Sequence, residues 1–88
     1  MKTIIEKQEI IPILLEYYSQ LLKEATYQEH LFQKKYKHFF EDFELYINNT
    51  NKENFEEWDD YMEWKSFRKS IENYEQKIKS IKHGDFKP

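Results

Sequence analysis

The sequence predicts an all-α protein built as an antiparallel hairpin of two long amphipathic helices. Apolar residues recur in alternating steps of four and three over most of the chain, the spacing of helices packed lengthwise. Glycine occurs once and proline twice in 88 residues, too few for the turns of an all-β protein of this size. Glu, Lys, Gln, Leu and Ile dominate the composition, which favours helix.

The first helix rests on the series Ile11, Leu15, Tyr18, Leu22, Ala25, Glu29, Phe32, Tyr36, Phe39, Phe43, Tyr46, in which only Glu29 is polar. Leu14, Leu21, Phe40 and Ile47 widen this stripe. Pro12 suits the first turn, where a missing N–H costs nothing. Thr26 followed by Glu29 is a capping-box pattern that could start a new helix. Either one helix runs from 13 to 47 or two helices meet near Thr26; the unbroken heptad phase favours the first.

Asn48-Asn49-Thr50-Asn51-Lys52 is the clear turn, because asparagine amides compete for backbone partners. Thr50 with Glu53 reads as a second capping box, and Asn54 is an alternative cap. The closing helix then carries the seam Trp64, Phe67, Ile71, Tyr74, Ile78, Ile81, and Gly84 suits a left-handed stop after it. Residues 1–10 are expected to form a short helix, an added strand or a flexible arm, and 84–88 a loose tail. The whole is one helical domain, 1–88. Two or three helices of this size have a thin core, so two hairpins are expected to dimerise as a four-helix bundle, or one hairpin to pack on a partner.

Charge is distributed unevenly. Nine of the seventeen carboxylates lie between Glu41 and Glu63 with Lys52 as the only base, whereas the net charge of the chain is −3. This stretch brackets the turn, so the hairpin should have an acidic tip, with Lys77, Lys79 and Lys82 toward the other end. Its second half also holds both tryptophans, Trp58 and Trp64. Large rings among acids are costly to bury and costly to expose. They read either as core rings beside acids favoured by a helix N-terminus, or as a docking surface for a basic protein. The residues nominated for docking are Glu56, Trp58, Asp59, Asp60, Tyr61, Glu63 and Trp64.

Other chemistries find little support. Cysteine is absent, which excludes disulfides, thiol catalysis and Cys-based zinc sites. The carboxylates lack the His, Gly or Glu-x-x-His context of zinc, calcium or di-iron sites, so no metal or cofactor is expected. His30, His38 and His83 form no i, i+4 pair, and no nucleophile–base arrangement can be written; an enzyme is not expected. The basic-aromatic patch Lys34-Lys35-x-Lys37-His38 is short and the pI is about 5.6, so direct nucleic-acid binding is disfavoured. No apolar run approaches the ~20 residues of a membrane span, and the N-terminus lacks the pattern of a signal peptide. A cytoplasmic protein is expected.

The segment from Ala25 to Asp85 resembles a class of small helical bacterial and archaeal proteins encoded beside toxin-like partners and regarded as antitoxins. The resemblance lies in Leu31-Phe32-x-x-x-Tyr36-x-x-Phe39, the acidic run ending Asp60-Tyr61-Met62-Glu63-Trp64-Lys65, and the close Ile78-Lys79-Ser80-Ile81-Lys82-His83-Gly84-Asp85. The break between the helices is Asn-rich here, where that class often has glycine, and residues 1–24 have no counterpart. The resemblance implies stoichiometric inhibition of a toxin, with Asp59, Asp60, Tyr61, Glu63 and Trp64 in its most distinctive run. Two other functions suit the residues: an acidic phage or mobile-element inhibitor that mimics nucleic acid, and a structural homodimer.

Overall fold

The computed structural model describes residues 7–50 and 54–84, which form three helices: α1, Lys7–Tyr36; α2, Phe40–Asn49; and α3, Phe55–Lys82. The long helices are antiparallel, as expected. Tyr18 lies near Tyr74 (6.4 Å between ring centroids), Phe32 stacks on Trp64 (5.5 Å), and Lys35 Nζ reaches Asp60 Oδ2 (2.7 Å). The inner seams hold along the hairpin. Leu15, Tyr18, Leu22, Ala25, Glu29 and Phe32 of α1 are buried or half-buried, as are Trp64, Phe67, Ile71, Tyr74, Ile78 and Ile81 of α3.

The first helix is continuous through Thr26. The Thr26–Glu29 capping box does not form because the Glu29 carboxylate is committed elsewhere: it accepts hydrogen bonds from Trp64 Nε1 (3.1 Å) and Arg68 Nη1 (3.3 Å). The break comes later, at residues 37–39, which corrects the expectation of one helix reaching Ile47. Lys37 takes a left-handed conformation (φ 56°) and its N–H donates to the Gln33 carbonyl (2.8 Å), closing α1 without a glycine. The helix also begins earlier than expected. The apolar phase of Ile10 and Ile11 with Leu14 and Leu15 carries it back past Pro12, which lies inside α1 and not in its first turn. The proposed arm thus keeps only residues 1–6 outside the described chain, and residues 51–53 and the tail at 85–88 lie outside it too.

The break shifts the helical phase of residues 40–49. Phe39 and Tyr46, assigned to the seam from sequence, are 68% and 43% exposed; Phe43 keeps its seam place, and Phe40 and Ile47, expected only to widen the stripe, are buried with it. Phe40 meets Trp64 (5.5 Å) at the start of α2, and the Tyr46 hydroxyl donates to Glu57 Oε1 (3.1 Å) near its end. Thus α2 runs antiparallel to α3 beside the last turns of α1. The molecule, 62 × 23 × 19 Å, has a three-helix head and a two-helix stem.

The core belongs to the head: Phe40, Phe43, Ile47, Tyr61 and Trp64, with Phe32, Tyr36 and Trp58 packed against them. Among the described residues the remaining buried hydrophobics are Ala25 and Ile81. Glu29 closes the core from below, and Arg68, which bridges it to Glu41 Oε1 (3.1 Å), joins all three helices. Asn54, the alternative cap, starts α3: its Oδ1 accepts the Glu57 N–H (3.1 Å) and its Nδ2 donates to Glu57 Oε1 (2.6 Å). Thr50 instead flanks the end of α2. At the far end Gly84, at φ 72°, donates to the Ile81 carbonyl (3.1 Å), the left-handed stop expected there.

Both the break and the buried carboxylate can be checked by stability. Lys37→Gly should stabilise the protein by about 1 kcal/mol, because the left-handed conformation costs an L-residue roughly 1–2 kcal/mol. In an unbroken helix the same change would destabilise by about 1 kcal/mol, so the sign in urea unfolding locates the break. Glu29→Leu should cost about 1–3 kcal/mol by stripping the buried Trp64 N–H of its acceptor. A double-mutant cycle with Trp64→Phe should return a coupling near 1 kcal/mol; additive effects would show that this bond contributes nothing.

Candidate partner-binding surface

The acidic stretch divides into groups tied inward and groups left outward. Of the nominated residues, Trp64 and Tyr61 are core: Trp64 is fully buried between Phe32, Phe40 and Phe43, and Tyr61 is 5% exposed and stacked on Phe40 (5.9 Å). The Tyr61 hydroxyl donates to Glu44 Oε2 (2.7 Å), and this bond, with burial, raises its pKa. Trp58 is half-buried, its ring 5.5 Å from Tyr61. Tyr61 and Trp64 thus belong to the core, and Trp58 packs against it while keeping part of its ring at the surface.

Asp60 faces α1. Its carboxylate accepts hydrogen bonds from Lys35 Nζ and from the Tyr36 hydroxyl, and Lys35 also reaches Glu56 Oε1 (2.9 Å). Burial alone would raise the Asp60 pKa; the two hydrogen bonds outweigh it and hold the carboxyl below its ordinary value. Burial and the bond to Asp60 push the Tyr36 phenol up to about 12. The hydrogen bonds to Asp60 and Glu56 hold the Lys35 ammonium above the ordinary lysine range. By sequence Lys35 belongs to the short basic-aromatic patch; in the structure it reaches across and neutralises part of the acidic tip. Glu41 and Glu57 are likewise engaged, by Arg68 and by Asn54 and Tyr46.

Of the nominated acids, Asp59 and Glu63 remain. Both are exposed, four residues apart on one face of α3, and neither forms an ion pair or hydrogen bond among the described residues. Beside them on the same outer face stand Phe55, 76% exposed, and Met62, 51% exposed. On α2 Leu45 is 62% exposed, and Asp42 in its first turn and Phe39 just before it are also open to solvent. Spacing alone groups Phe55 in a stripe with Trp58 and Tyr61. The heptad phase of Trp64 is the signal that separates them, since Phe55 falls on the opposite side of the helix from that ring.

Among the described residues no three His, Asp or Glu side chains converge as a metal site, and no helix is long and apolar enough to cross a membrane. The grooves in the surface are shallow and open; one between α1 and α3 is lined by Leu21, Ala25, Phe67 and Tyr74. Comparisons with protein-family models, curated proteins and solved structures give no match.

The Lys35–Tyr36–Asp60 cluster predicts a two-sided pH dependence. Asp60, with its folded pKa lowered, stabilises the fold above the ordinary carboxyl value of about 4 and loses that contribution as pH falls through the folded value. Tyr36 and Lys35, with folded pKa values raised, contribute below their ordinary values near 10 and lose it as pH rises further. The difference in Tm between the native protein and Asp60→Asn should therefore be widest from about pH 5 to 9 and shrink toward about pH 2. A difference that stays constant into acid would show that Asp60 does not act as a paired carboxylate.

Proposed function

We propose that this chain is a non-enzymatic protein-binding inhibitor, antitoxin-like, that docks a basic partner on the outer face of the head. The contact residues are Phe55, Asp59, Met62 and Glu63, with Glu56 at the rim. Trp58, Asp60, Tyr61 and Trp64 hold that face rigid from behind. One observation carries the reading: two large apolar side chains stand open beside two carboxylates that nothing within the described chain neutralises.

The simpler account, acids favoured by a helix N-terminus, covers less. The helix dipole acts within the first turn, and the first-turn acids are Glu56 and Glu57. Asp59 and Glu63 lie beyond it. As a like-charged i, i+4 pair they cost the isolated helix about 0.2–0.5 kcal/mol. A cationic surface would relieve that repulsion, and the apolar side chains would supply the contact that anchors an interface. The resemblance to antitoxins points the same way, since Met62 and Glu63 lie in its most distinctive run. An acidic mimic of nucleic acid is less well supported, because Glu29, Glu41, Glu44, Glu56, Glu57 and Asp60 are all occupied within the chain.

The test is capture of the neighbouring gene's product by the purified chain. Asp59→Lys/Glu63→Lys should abolish capture, and Phe55→Ala should weaken it by about tenfold, both with unchanged helicity by circular dichroism. Affinity of the native chain should fall as salt rises. Capture that survives the double charge reversal would overturn the proposal.

A further inference from the structure

We propose that α1 carries a second, self-complementary seam on which two copies of this chain pair side by side in antiparallel sense. The four large hydrophobic side chains of α1 that stand exposed are Ile13 (62%), Tyr17 (57%), Tyr27 (61%) and Leu31 (43%). They are not scattered. With Gln20 and Glu24, also exposed, they step along α1 at 13, 17, 20, 24, 27 and 31, again in fours and threes. That is the spacing of a packing line along a helix. The line lies on the face of α1 turned away from α3, because Tyr18, Leu22, Ala25, Glu29 and Phe32 occupy the other face. Ile10 and Lys34 extend it by one step at each end.

The order of polarity along this line names a second copy as its occupant. Two apolar residues, two polar and two apolar read alike from either end, about a centre at Leu22. A two-fold axis there sets Ile13 against Leu31, Tyr17 against Tyr27 and Gln20 against Glu24, each pair occurring twice. An isologous interface requires this self-complementarity. The Gln20 amide of each copy donates to the Glu24 carboxylate of the other, so the polar centre is satisfied by the chain's own groups. A parallel pairing would set Glu24 on Glu24 and Lys34 on Lys34, like charge on like. On the rim of the antiparallel pair, Glu16 faces His30, and Lys23 meets its own copy at the axis with both Glu24 carboxylates alongside.

The resulting dimer is a flat four-helix layer, α3–α1–α1–α3, and not a closed bundle. Its two heads lie at opposite ends. The outer face of each α3, with Phe55, Asp59 and Met62, stays open. The pairing is therefore independent of the proposed docking function, and either can fail alone.

The chain has no cysteine, which permits a direct test of register. Chains carrying Ile13→Cys and Leu31→Cys, mixed and oxidised, should form a disulfide between the two different chains. Neither should crosslink to itself, because eighteen residues of helix, about 27 Å, separate like positions in this arrangement, against a Cα reach of about 7 Å. In sedimentation equilibrium the native chain should pass from monomer to dimer with concentration. Tyr17→Lys/Tyr27→Lys should raise the dissociation constant at least about tenfold with helicity unchanged, and Asp59→Lys/Glu63→Lys should leave it as it was. A native chain that stays monomeric at about 200 μM, self-crosslinking of either cysteine variant as strong as in the mixture, or tyrosine variants that associate like the native chain would each overturn the proposal.

Discussion

A carboxylate in the middle of an apolar seam sets the position of everything else in this protein. Seams made only of Leu, Ile and Phe can slide past each other by a heptad at modest cost, because one apolar layer much resembles the next. Glu29 removes that freedom. It is 9% exposed, and it accepts hydrogen bonds from Trp64 Nε1 and Arg68, both on α3. Shift α1 along α3 by one heptad, and a carboxylate and an indole N–H are both left buried and unpaired. A single polar residue that fixes register in this way is the best-attested use of a buried ionic group. Arg68 extends the constraint to α2 through Glu41, so the three helices are aligned at one point.

With the register fixed, the head can close. Phe32 stacks on Trp64 one turn above Glu29, and Phe40 and Phe43 fill the other side of that ring. Only here do three helices surround a common volume. Below Glu29 two helices must bury each other alone, and a helix packed on one neighbour covers only one stripe of its surface. The uncovered stripe of α1 is a geometric consequence of its packing against α3 along one face only. That leaves α1 a second line of exposed apolar side chains.

How far the fold is legible in the sequence depends on the kind of signal each feature leaves. The inner seams, the Asn54 cap and the Gly84 stop are periodic or local, and both kinds of signal are read directly from residue order. Glu29 is visible too, but as a flaw in the seam, since its partners lie thirty-five and thirty-nine residues away. The break at Lys37 leaves no mark. It uses a left-handed lysine where a glycine would announce a helix end, and residues 36–47 carry apolar groups in a pattern that fits two phases. Both phases bury Phe43; one adds Phe39 and Tyr46, and the one the structure takes adds Phe40 and Ile47. The same ambiguity affects the tip. Composition groups the acidic and aromatic residues together, but which rings face solvent depends on the phase of α3 against α2, and Trp64 settles that phase.

Sorting the acids by partner, and not by sequence position, changes what the negative charge at the tip means. Glu29, Glu41, Glu44, Glu57 and Asp60 each accept a hydrogen bond from a side chain distant in sequence, so they act as part of the packing. Lys35 and Arg68, two bases that reach into this region, are used up in doing so. Among the described residues Asp59 and Glu63 gain no partner of opposite charge, on the face that also bears Phe55 and Met62. The folding of the described chain does little for that combination: the charges gain no partner and the apolar side chains stay largely exposed. Because the core beneath fixes the backbone of that face, a contact there would have to order only its exposed side chains.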